Sequence, residues 1–176
     1  LVEFFQRMGM NFGGDTNANT SFDRTLYMIE LPNTKDETLA EGLRVLGDYA
    51  GGLLLLPDEI NKERGIILSE KRDRDSVDYR TSVAQYNFEY GGTLVPTRLP
   101  IGETDVIEKA QRDRFVDFWN TWYRPEKIAV VVVGDIDPAA VEKTITTTFS
   151  PIAARAPARP ELSRGSVALF NGLRVQ

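Results

Sequence analysis

Residues 128–133 form the run IAVVVV, followed at once by Gly134, Asp135 and a helix-start signal. Six apolar, mostly β-branched residues without a polar interruption predict a strand covered on both faces, because alternation is lost only where neither face meets water. Asp137 then supplies an N-cap and Pro138 a first helical position, which predicts a helix over residues 138–149. A strand of this kind needs other elements stacked above and below it.

Those elements are spread along the chain in front of it. Leu1, Phe4, Phe5 and Met8 have helical spacing and Gly9 a stop signal, yet nothing ahead of Leu1 serves as a cap, so this helix is expected to begin in a longer polypeptide. Gly13 and Gly14 mark a bend, and residues 10–31 predict two antiparallel strands, the first exposed and the second buried, closed by Pro32. Thr34 and Glu37 have capping-box spacing and open a helix with Leu39, Leu43, Leu46 and Ala50 on its inner face. Pro57 starts another helix that runs to about Arg74, with more helix up to Gly91 and Gly92. A short helix over 103–110 and a longer one with Phe115, Phe118, Trp119 and Trp122 as its core face complete the set. The order predicts an α+β fold, helices packed on a mainly antiparallel sheet. Residues 1–150 are expected to form one partial domain, the Pro-rich 151–165 a linker, and 166–176 the start of a further domain.

Within the Pro57 helix, EINKERGIILSE places Glu59, Glu63, Ile66 and Glu70 on one stripe, with Ile60, Ile67 and Leu68 available to anchor the other side. Taken alone, such a stripe is the ordinary mark of a solvated face. The rest of the composition narrows the chemistry. Histidine and cysteine are both absent, which excludes serine–histidine and cysteine–histidine catalysis, thiolate metal sites and an imidazole-built zinc site within these residues. A net charge of −5 without a dense basic cluster argues against nucleic acid, and no apolar run approaches the length of a membrane span.

Four stretches, DTNANTSFDRTLY, EINKERGIILSE, RLPIGETDVIEKA and FWNTWYRPEKIAVVVVGDID, occur in that order with gaps that give the chain a specific likeness. Together they resemble the pitrilysin/insulinase family of zinc metallopeptidases, the inverted zincins, and cover residues 1–149. In the family a helix carries His-x-x-Glu-His, whose histidines bind zinc and whose glutamate is the general base. A glutamate from a later helix completes the ligands, and the resemblance implies that this ligand is Glu70. It likewise implies that Glu63 is a carboxylate that orients the zinc-binding histidines. Asn17, Ala18, Asn19 and Thr20 match the family's edge strand that pairs with an extended substrate backbone.

The histidine motif has no counterpart in these residues and is expected ahead of Leu1; the alternative is a degenerate, noncatalytic half that keeps a peptide-holding wall. The resemblance therefore implies a fragment of a zinc endopeptidase acting on extended or unfolded peptides, with Zn2+ as the cofactor of the complete enzyme and none bound to this stretch alone. Its implied partners are a peptide or protein substrate and the remaining domains of the same polypeptide, with a homo-oligomer possible. The likeness to bacterial zinc proteases of the family leaves periplasm or cytoplasm open and implies a preference for the periplasm.

Overall fold

The computed structural model describes residues 2–11, 13–167 and 175, and shows an α+β chain. Helix α1 (Val2–Arg7) precedes a hairpin of β1 (Thr16–Thr20) and β2 (Thr25–Ile29), which α2 (Asp36–Gly51), α3 (Pro57–Asp73) and α4 (Val77–Glu89) follow. After them come α5 (Thr104–Lys109), α6 (Arg112–Trp122) and α7 (Pro138–Phe149). The chain divides into two compact units: Leu1–Thr20, Arg24–Leu54 and Phe115–Ala158 form the first, and Ser21–Asp23, Leu55–Arg114 and Arg159–Gln176 the second.

In the first unit α2 is the central element, because it feeds two apolar clusters from adjacent faces. Val45 meets Phe5 and Met10, with Phe4, Met8, Ile29 and Tyr49 around them. Leu39 and Leu43 meet Val141 of α7, with Val130, Val132, Ile136, Ile145 and Phe149 around them, while Leu31 touches both clusters. The α2–α7 contact is close: a methyl group at Gly47 would lie 2.8 Å from Thr148 Cγ2. Helix α7 starts as its sequence predicts, with the Asp137 side chain accepting from the Ala139 N–H at 3.1 Å and Pro138 in the first turn.

Several expectations need correction. Residues 128–134 form no strand, and Gly134 lies in a bend; Val130 and Val132 pack against the second cluster, while Val131 and Val133 are exposed at 78% and 90%. A strand requires a hydrogen-bonded neighbour, and none of the described residues supplies one. One face is therefore half-buried and the other exposed. Strand β2 is also less buried than expected: Leu26 and Met28 are exposed while Tyr27 and Ile29 are half-buried. The Thr34–Glu37 capping box does not form, because α2 begins at Asp36 behind Lys35 and has no side-chain cap.

The face of α6 is turned as well. Trp119 and Thr121 are buried, but Phe118 is 59% exposed and Phe115 is exposed too. Trp119 sets the inward side, since its indole N–H donates to the Tyr49 carbonyl at 3.3 Å and the Arg155 guanidinium stacks 3.6 Å from its ring centroid. The Pro-rich residues after α7 lack regular structure, yet they are fastened to this unit. Arg155 donates to the Tyr123 carbonyl at 2.6 Å and Arg124 to the Ala156 carbonyl at 2.6 Å.

In the second unit, α3 and α4 are separate helices, broken after Arg74 and restarted by Ser76, whose side chain accepts from the Tyr79 N–H at 3.1 Å. Gly165 bridges to Thr93 with φ +76, and a methyl group there would sit 2.3 Å from the Gly92 carbonyl oxygen, so only glycine fits. The strand-like stretch expected at 166–176 lies largely outside the described residues.

Candidate metal-ligating helix

Helix α3 is built as its sequence dictates. Pro57 occupies the first turn with Asp58 and Glu59, and Lys71 and Arg72 occupy the last, so both ends complement the helix dipole. Leu55, just ahead of the helix, has φ +48, a left-handed conformation that costs a leucine roughly 1–3 kcal/mol. Its carbonyl accepts a 2.8 Å bond from Arg112 Nε, which holds that turn in place.

The carboxylate stripe forms. Glu59, Glu63 and Glu70 are exposed along one side of α3, with Ile66 between them exposed at 58%. Glu59 pairs with Lys62 at 2.7 Å, Glu70 pairs with Arg74 one turn on, and Glu63 has no ion-pair partner among the described residues. The anchoring side is only half-buried, at Ile60, Ile67 and Leu68, and no residue of α3 is fully buried. Glu63 and Glu70 lie seven residues apart, about 10.5 Å along the axis and about 20° apart around it. Their side chains lean the same way along the helix, so the two carboxylates stay too far apart to ligate one small ion together. A single ion can take one of them directly and leave the other to a supporting contact.

Two bonds made by cations of α3 were not singled out in the sequence. Arg64 Nη2 donates to the Ala110 carbonyl at 2.8 Å, and Lys71 Nζ donates to the Gly102 carbonyl at 2.6 Å. These cations form their own seven-residue stripe, each one residue after an acid, about 100° round the helix from it. The acid–base order in ER and EK was the signal available.

As a metal centre the described residues are incomplete. No three His, Cys, Asp or Glu side chains gather to hold an ion among them, and the sequence has neither histidine nor cysteine. An exposed carboxylate such as Glu70 fits one oxygen ligand of a zinc site, but the other ligands must come from elsewhere.

The residues expected to dock substrate lie in the first unit. Asn17, Ala18, Asn19 and Thr20 are exposed in β1, opposite Met28, Tyr27, Leu26 and Thr25 of β2. The sheet has two strands, so among the described residues the other edge of β1 is unpaired. The Ala18 N–H donates to Asn17 Oδ1 at 2.8 Å, a local bond that satisfies this amide without a third strand.

Comparison with known proteins decides the family. The family model described as "Insulinase (Peptidase family M16)" matches residues 1–89, a stretch that includes β1, β2 and the whole of α3. This chain belongs to the M16 peptidase family. A second model, "Peptidase M16 inactive domain", matches residues 109–175. The M16 chain is 34% identical over 137 residues to the "Probable zinc protease PqqL" of Escherichia coli (strain K12), covering 78% of this chain and 15% of that protein. It is 31% identical over 150 residues to the Haemophilus influenzae protein of the same description, covering 85% of this chain and 16% of that one. The crystal structure of the first half of the periplasmic protease PqqL from Escherichia coli superposes with a TM-score of 0.84 at 31% identity, over 92% of this chain and 34% of that one. The M16 chain thus spans about a sixth of the length of these curated relatives. Among its described residues no helix is long and apolar enough to cross a membrane.

Proposed function

We propose that this M16 chain is part of a periplasmic zinc-dependent endopeptidase, and that it contributes one zinc ligand and one wall of the substrate site. The observation that carries the reading is the pair Glu63 and Glu70, both exposed on one side of α3 inside the segment matched by the insulinase model. Glu70 is the ligand: its carboxylate is a hard oxygen donor, and Arg74 holds it on the helix surface. Glu63 takes the supporting role of orienting histidines supplied by the rest of the polypeptide. In the complete enzyme zinc supplies Lewis acidity and lowers the pKa of a bound water. The exposed edge at Asn17, Ala18, Asn19 and Thr20 offers backbone groups to an extended peptide, the Ala18 N–H once it exchanges its bond to Asn17 Oδ1 for one to the peptide, which selects for unfolded segments and not for particular side chains. In this reading residues 1–150 belong to the N-terminal peptidase domain, with a linker over 151–165 before the next.

The test is Glu70→Gln in the full-length protein, which keeps the shape and removes the charge. Zinc content and peptide hydrolysis should fall together, while Glu63→Gln should weaken zinc binding roughly ten- to hundredfold. Full zinc and full activity in Glu70→Gln would remove Glu70 from the site. A full-length protein without peptidase activity would favour a noncatalytic peptide-holding half instead.

A further inference from the structure

We infer that Arg64 and Lys71 are positioning residues, a two-point clamp that fixes how far α3 is rolled about its own axis and so where the Glu63–Glu70 stripe points. The inference rests on the assignment of Glu70 as a zinc ligand and adds what holds that ligand in place. Packing alone defines the roll of α3 poorly, because no residue of this helix is fully buried and its apolar side is half-covered. The two cations supply what packing does not. Arg64 bonds the Ala110 carbonyl just after α5, and Lys71 bonds the Gly102 carbonyl just before it, so the points of attachment lie two turns apart on α3 and at both ends of α5.

Both acceptors are backbone carbonyls, whose positions follow from the chain path and not from a rotamer. Charged donors make stronger and shorter bonds to them than neutral ones do. Arg64 Nη1 is buried with no acceptor among the described residues, a cost that the Nη2 bond must offset for the guanidinium to stay where it is. The lever arm makes the clamp matter. A carboxylate about 5–6 Å off the helix axis moves about 2 Å when the helix rolls by 20°. A metal-binding constellation tolerates about 0.5 Å.

Electrostatics gives the test a sign. A cation near a zinc ion repels it, so by charge alone the loss of Lys71 should tighten zinc binding. Loss of position should weaken it. In the full-length protein, Lys71→Met and Arg64→Gln are compared with Lys71→Arg and Glu70→Gln. The readouts are zinc affinity by chelator competition, melting of the metal-free protein, and amide hydrogen exchange across α3.

Lys71→Met and Arg64→Gln should each lower zinc affinity about tenfold and speed exchange in α3, with metal-free melting close to wild type. Lys71→Arg should restore both. Unchanged or tighter zinc binding in Lys71→Met, beside a clear loss in Glu70→Gln, overturns the clamp and leaves Glu70 as a ligand. If Glu70→Gln itself binds zinc normally, the ligand assignment fails, and the exchange measurement alone decides the clamp. Unaltered α3 exchange in both clamp variants then overturns it. Should Arg64→Gln fail to fold, the Lys71→Met and Lys71→Arg pair carries the same comparison.

Discussion

At the scale of single residues, one polar contact of the first unit joins two tyrosines. The Tyr27 and Tyr123 hydroxyls lie 2.6 Å apart, and Tyr27 also packs on the Tyr49 ring with centroids 5.1 Å apart. Burial, with the Tyr123 hydroxyl bond second, pushes the Tyr27 phenol well above its ordinary value, and burial raises Tyr49 in the same direction. The native state therefore holds Tyr27 protonated, while an unfolded tyrosine ionises near pH 10. Stability from this group is intact below pH 10 and is lost as pH rises beyond it. Tyr27→Phe should lower stability at neutral pH by about 1 kcal/mol, because Tyr123 loses its partner. The same variant should show a shallower alkaline loss than wild type. Urea midpoints from pH 8 to 11 check both, and parallel curves for the two proteins would show that Tyr27 is not the group responsible.

At the scale of elements, the structure separates signals that are local from those that need a partner. The α7 cap is local: Asp137, Pro138 and the following helix lie within a few residues of one another, so sequence spacing was enough to place them. Asp137→Ala should cost about 0.5–2 kcal/mol, read as a fall in urea midpoint. By contrast Val133→Thr, at a position 90% exposed, should stay within about 0.5 kcal/mol of wild type. A large loss at Val133 would mean that this side of the run is covered. The run at 128–133 departs from its expected strand because composition reports what a segment is suited to, whereas ladder formation depends on neighbours that the described residues do not include. The α6 face departs from expectation for a related reason. Its spacing allowed several aromatic faces, and a stacked Arg155 more than thirty residues away chose the one with Trp119. In α3 the acidic stripe was legible because helical spacing is local, but the bonds of Arg64 and Lys71 reach carbonyls 46 and 31 residues away. Sequence spacing carries no record of such partners.

At the scale of the whole molecule, the chemistry of the M16 family and the content of this chain part company at a definite place. The match to the insulinase model includes α3, so the carboxylate half of the proposed zinc site is within these residues. The imidazole half is not, since the sequence has no histidine. Zinc sites of catalytic type use three protein ligands and leave a fourth position for water. A single glutamate, already paired with Arg74, is a weak and unselective competitor for zinc in solution. The 176-residue chain, purified alone and dialysed against buffered zinc, should therefore retain far less than one equivalent by elemental analysis. It should also leave an extended fluorogenic peptide uncut under conditions in which the full-length protein cleaves it. The paired measurement separates two explanations of an inactive chain. If loss of the histidine-bearing segment is the cause, the full-length protein binds one zinc and its activity disappears with a chelator. If the chain alone holds stoichiometric zinc, or cuts the peptide in a chelator-sensitive way, its carboxylates form a site by themselves. The division of the zinc centre between α3 and the rest of the polypeptide would then be wrong.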